Sequence, residues 1–136
     1  MKNLIKPLAL VAVMSLMAFS CHKDNNSNNN NNNTAGKGGS GVIRAIPKHH
    51  TRLIDNCTIY IKYNASTTPS SYDDSIKCVK INDTAQAVFT GLKNGSYYLY
   101  GYGYDSSISK NVSAGIAFTL SAQDTERVYV PVTEGD

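Results

Sequence analysis

Apolar positions along this chain follow two patterns. From Leu8 to Phe19 they run on with only Ser15 interrupting them. From Val42 onward they alternate with polar positions. In "CTIYIKY" Cys57, Ile59, Ile61 and Tyr63 share one parity, and in "ERVYVPV" Val128, Val130 and Val132 do. A period of two marks half-buried strands. Seven are predicted: "GVIRAIP" (41–47), "CTIYIKY" (57–63), "SIKCVKI" (75–81), "AQAVFTGL" (85–92), "SYYLYGYGY" (96–104), "AGIAFTL" (114–120) and "ERVYVPV" (126–132). Ser, Thr, Pro and Asp fill the loop from Asn64 to Asp74, and Lys93-Asn94-Gly95 has the residues of a tight turn. Pro131 marks its strand as an edge or as one whose opposing face donates no hydrogen bond there. No stretch carries a helical period. The prediction is all-β: a single seven-stranded antiparallel β-sandwich over residues 41–136.

The unbroken apolar run is too short to span a bilayer comfortably, but with Lys2 and Lys6 before it, it reads as a signal peptide over residues 1–20. Cys21 follows directly, and the junction resembles the lipobox of bacterial lipoproteins. That resemblance implies lipid attachment at Cys21 and membrane anchoring through the lipid. "HKDN" after the cysteine resembles the export signal of surface lipoproteins. It implies the outer membrane and its outer face, with the periplasmic face as the alternative. Residues 22–40 are mostly Asn, Ser and Gly, too polar to offset the entropy of ordering, so a disordered tether is predicted to Ser40. Gly36, Gly38 and Gly41 spell G-x-G-x-x-G, but a polar tract precedes them and a strand follows, so the spacing is read as chance.

Charge narrows the function. The net charge of +3 lies entirely in residues 1–41, because residues 42–136 hold nine basic and nine acidic side chains. Such a domain has no positive excess to neutralise phosphates, and nucleic-acid binding is not expected. His49 and His50 are adjacent and on an extended chain would face opposite ways, so they are expected at the surface rather than as metal ligands. Asp73, Asp74 and Asp83 read as solvated turn residues. No metal, cofactor or catalytic residue is assigned, and no enzymatic activity is expected. Cys57 and Cys78 are a candidate disulfide pair in an exported protein, with two separate buried thiols as the alternative.

"AVFTGLKNGSYYLYGYG" resembles the F-x-x-L-x-x-G-x-Y-x-L signature of transthyretin-like (prealbumin-like), or carboxypeptidase regulatory-like, domains. Phe89, Leu92, Gly95, Tyr97 and Leu99 fill the motif positions. The resemblance implies a Greek-key sandwich serving as an accessory, spacer or binding module. It places Tyr97 and Leu99 in the core. "YYLYGYGYD" holds five of the nine tyrosines, and the remaining row of Tyr98, Tyr100, Tyr102 and Tyr104 is left as a candidate binding face. The expected function is a non-enzymatic, lipid-anchored interaction or structural module of the cell envelope, with a protein or glycan partner at the cell surface. The alternatives are a carbohydrate-binding module using the tyrosine face and a small hydrolase built around His49 or His50.

Overall fold

A computed structural model describes residues 34–135; the signal peptide, Cys21 and the tether up to Asn33 lie outside the described residues. The strands are β1 (Lys37–His49), β2 (Arg52–Leu53), β3 (Asn56–Tyr63), β4 (Asp74–Lys77), β5 (Val79–Ile81), β6 (Thr84–Leu92), β7 (Gly95–Asp105), β8 (Lys110–Leu120), β9 (Thr125–Pro131) and β10 (Thr133–Glu134). No described residue is helical. Among the described residues the expectation of an all-β, sandwich-like fold holds, with ten strands in place of seven. Two of the additions, β2 and β10, are two-residue strands. The third arises because the predicted strand 75–81 is broken at Cys78.

One sheet runs β5-β6-β1-β9, with β2 folded back on the end of β1. The other runs β4-β3-β7-β8-β10. Every pairing is antiparallel except β1 with β9, which is parallel, so the expected all-antiparallel sandwich is corrected at that edge. At both sides of the sandwich the chain passes directly from one sheet to the other. β4 and β5 are joined through Cys78, and β9 and β10 through Val132. Strands that switch sheets make the corners of a sandwich. Pro131 sits in β9, which among the described residues pairs with β1 alone and so forms an edge.

The core forms from the inward parity of each strand. Ile43 and Ala45, Ile59 and Ile61, Ala87 and Phe89, Tyr97 and Leu99, and Val130 with Val132 are all fully buried. All four apolar positions of the signature, Phe89, Leu92, Tyr97 and Leu99, are among the buried core residues, and Gly95, the first residue of β7, has a positive φ of 150°. The Tyr97 hydroxyl donates to the Lys93 carbonyl at 2.6 Å and accepts from the Gly36 amide at 3.1 Å, so the largest core side chain also ties two loops.

Order begins earlier than the tether expectation placed it. β1 starts at Lys37, and Ala35 is already buried, with its amide 2.7 Å from Asn64 Oδ1. Glycine is the reason. Lys37 and Gly41 both pair with Leu92, so residues 38–40 form an irregularity in the ladder. A side chain on Gly39 would overlap the Leu92 carbonyl, and Gly38 has a φ of 100°. The apparent G-x-G-x-x-G is therefore a bulged strand, with no helix after it to receive a phosphate.

β7 is the central strand of its sheet, and its inward face reads Tyr97, Leu99, Gly101, Gly103, Asp105, all buried. A Cβ on Gly101 would lie 2.7 Å from Val132 Cγ1, a stiff and fully buried side chain. Gly101→Ala is expected to cost about 1–3 kcal/mol of stability through overpacking. Gly135→Ala, which meets nothing, should change it by less than about 0.5 kcal/mol. Urea denaturation of both variants checks the pair, and equal midpoints would contradict the packing account.

Candidate functional site

The outward face of β7 carries Tyr98, Tyr100, Tyr102 and Tyr104, in keeping with strict alternation along an eleven-residue strand. The structure divides this row. Tyr98 is only 7% exposed. Its ring lies over Gly115 of β8, where a side chain would collide with it, and its hydroxyl is 2.8 Å from Thr68 Oγ1. Tyr100 is half-buried: Tyr72 stacks on it with ring centroids 5.6 Å apart, and Tyr60 of β3 packs beside both. Thr68 and Tyr72 belong to the loop after β3, which folds over this half of the row. That loop is fastened by Asp73, whose carboxylate accepts from the Tyr63 amide at 2.7 Å and from Lys62 at 2.8 Å. These bonds hold the Asp73 carboxyl below the usual carboxylate range, the Lys62 contribution being the larger.

Tyr102 and Tyr104 remain open, 47% and 41% exposed. Side chains on the outer face of a strand repeat about every 7 Å, so the two rings form a short aromatic step. Register gives each polar neighbours on both sides. Thr58 and Ser113 flank Tyr102, and Asn56 and Asn111 flank Tyr104. Together with Lys77, the aromatic pair and the two asparagines line a shallow depression of about 240 Å³. The candidate face of four tyrosines is thus reduced to two, because the loop supplies the covering side chains for the others. Sequence alternation found the row. It held no signal for which half the loop would occupy.

His49 departs from the surface placement expected of it. It is the last inward residue of β1 and is 5% exposed. Its Nδ1 is 2.8 Å from Asp105 Oδ2, at the inward end of β7, and its Nε2 is 2.6 Å from Glu134 Oε2 in β10. Asp105 is 2% exposed and also accepts from the Ser107 amide at 2.8 Å and its hydroxyl at 2.6 Å. Both histidine nitrogens donate only in the imidazolium form, and folding favours that form. The Asp105 hydrogen bond is the main cause of a raised His49 pKa, with Glu134 adding to it. The Ser107 and His49 hydrogen bonds, in that order, lower Asp105 to about 2. Glu134 is lowered first by its own backbone amide and then by His49.

This cluster does not have the connectivity of a hydrolase. A nucleophile must reach the imidazole, whereas Ser107 bonds the carboxylate and Glu134 takes the second ring nitrogen. Both ring nitrogens are taken up by carboxylates. His50 is exposed, as expected, but not on the opposite face. Its φ of 51° begins the turn into β2, which breaks the alternation and sets the two rings 4.4 Å apart. The burial of His49 and its pairing with Asp105 were missed because the predicted strands stop at Pro47 and Tyr104, one inward position short in each case, and Glu134 lies in β10, beyond the predicted end at Val132. Continuing the parity of Ile43, Ala45 and Pro47, and of Leu99, Gly101 and Gly103, reaches His49 and Asp105.

Cys57 and Cys78 come together as free, buried thiols in contact with one another. No group of three or more His, Cys, Asp or Glu side chains among the described residues is arranged to hold a metal ion. Among them, too, no helix is long and apolar enough to cross a membrane. No family model, curated protein or solved structure matches the chain.

The triad makes stability depend on pH on both sides. The His49 contribution is complete below 6.5, its unfolded value, and is lost as pH rises through the raised folded value. The carboxylate contributions are complete above 3.8 for Asp105 and 4.5 for Glu134, and are lost as pH falls, toward about 2 for Asp105. Stability should therefore be greatest between about pH 4.5 and 6.5. Urea midpoints of wild type and His49→Gln across pH 3–9 check this. The variant should lose the decline above pH 6.5, and an unchanged profile would contradict the ion-pair geometry.

Proposed function

We propose that this chain is a non-enzymatic binding module of the cell envelope: a β-sandwich of transthyretin-like, Greek-key type, held at the outer membrane by lipid on Cys21, with the open half of the tyrosine row as its contact surface. One observation carries the reading. Tyr102 and Tyr104 stand exposed on the central strand of a five-stranded sheet, where pairing on both sides fixes the backbone that carries them. Rigid aromatic side chains lose little entropy on binding and are favoured at contact surfaces. The lipid reading rests on the position of Cys21 between an apolar run and a polar tract.

A glycan is the ligand class favoured by the flanking residues. Asn56, Thr58, Asn111 and Ser113 supply amides and hydroxyls beside the rings. Aromatic faces stack on sugar rings while such groups pair with sugar hydroxyls. A protein interface would instead be expected to put a larger apolar patch around its aromatic anchors.

Two experiments test these readings separately. On a glycan array, the full chain should bind a subset of glycans, and Tyr102→Ala and Tyr104→Ala should each weaken binding about tenfold or more. Binding to no glycan, or undiminished binding by both variants, would remove the glycan reading. For the anchor, labelled fatty acid should enter the wild type and not Cys21→Ser; equal labelling would end the lipid reading.

A further inference from the structure

Cys57 and Cys78 meet where the chain leaves one sheet for the other. Cys57 is an inward residue of β3, 2% exposed, and Cys78 is the one residue between β4 and β5, 7% exposed. Thr58 pairs with Lys77, so Cys57 and Cys78 are the next facing positions of the ladder. The Cys78 amide donates to the Cys57 carbonyl at 2.9 Å. Facing residues that share such a bond have Cα atoms about 5.5 Å apart, within the roughly 4.4–6.8 Å that a disulfide spans. The space for two sulfurs comes from β7. Gly103 faces Cys57, and a Cβ there would lie 2.9 Å from the Cys57 Cβ.

We propose that Cys57 and Cys78 close into an intramolecular disulfide that locks the crossover between the two sheets. The oxidant is a low-molecular-weight disulfide such as oxidised glutathione. The Cys78 thiolate attacks one of its sulfurs, forming a mixed disulfide and releasing one reduced thiol. The Cys57 thiol, deprotonated as it attacks the Cys78 sulfur, releases the second. Two S–H bonds of the protein are exchanged for one S–S bond, and the two electrons reduce the oxidant to two thiols. Cys78 is the first nucleophile because it is the more exposed of the two, whereas Cys57 lies deeper, its thiol directed to the Thr58 carbonyl at 3.6 Å and kept protonated by burial.

The bond has a consequence for the tyrosine face. Thr68 and Tyr72, which cover Tyr98 and Tyr100, lie between the two cysteines in sequence. Closing the loop from 57 to 78 ties both ends of that covering segment to the core. The covered half of the row then stays covered, and the open step remains Tyr102 and Tyr104.

The test uses the full chain with Cys21→Ser, so that only these two thiols remain. The protein is refolded from urea in a mixture of reduced and oxidised glutathione, then denatured and treated with a maleimide. Intact mass should show no maleimide added, and two after prior reduction. Reduction should also lower the melting midpoint by about 10 °C or more, because a loop of this length is released in the unfolded chain. The double variant Cys57→Ala/Cys78→Ala should show no response to reductant. Two maleimides on the refolded chain, a persistent glutathione adduct on one cysteine, or a disulfide between two chains would overturn the proposal.

Discussion

The two sheets approach as closely as they do because the central strand has no side chains at the middle of its inward face. Gly101 lets Val132 and Val130 of the opposite edge reach the backbone of β7, and Gly103 opens the space that Cys57 fills. On either side of this gap stand Tyr97, fully buried, and Asp105, which grips His49. The strand thus tapers from an aromatic ring through bare backbone to a charge. Sheet spacing, the thiol pair and the buried ion pairs all follow from that order of residues. The outward parity of the same strand carries the tyrosines, so core and candidate face are two readings of one alternation.

Closure at the sandwich ends is achieved by different chemistry at different corners. At Cys78 the crossing strand is held by a backbone hydrogen bond and by contact between thiols. After Val132 the chain pairs with β8 for two residues only, and Glu134 in that short strand bonds His49 of β1. Two backbone pairings are a small attachment for a strand. The imidazolium between Asp105 and Glu134 strengthens it by joining β1, β7 and β10. His49 and Asp105 are buried while Glu134 is exposed, so removing either buried member leaves its partner uncompensated in the core.

Much of the fold was legible in the alternation. Seven predicted strands correspond to the long strands observed, with the third split at Cys78, and the core parity of β3, β7 and β9 was read correctly. Three features were not. The glycine tract before Val42 reads as linker, yet its lack of side chains is what lets β1 fold closely against Leu92. The His49 cluster joins residues 49, 105 and 134, and no local pattern links positions so far apart. The covering of Tyr98 and Tyr100 depends on a loop of polar residues and one tyrosine, whose path has no period to read.

By itself the sequence determined strand parity, and with it the β class and the division of β7 into one face with Tyr97 and Leu99 and another with four tyrosines. Parity is a local property, set by the backbone geometry of successive residues. Only the tertiary structure decided that His49 is buried between two carboxylates, that Cys57 faces Cys78, and that Tyr102 and Tyr104 are the open pair. Each of these depends on which strand ends meet across the sandwich and where a loop settles. Such meetings arise from packing between distant segments, and alternation within one segment carries no record of them.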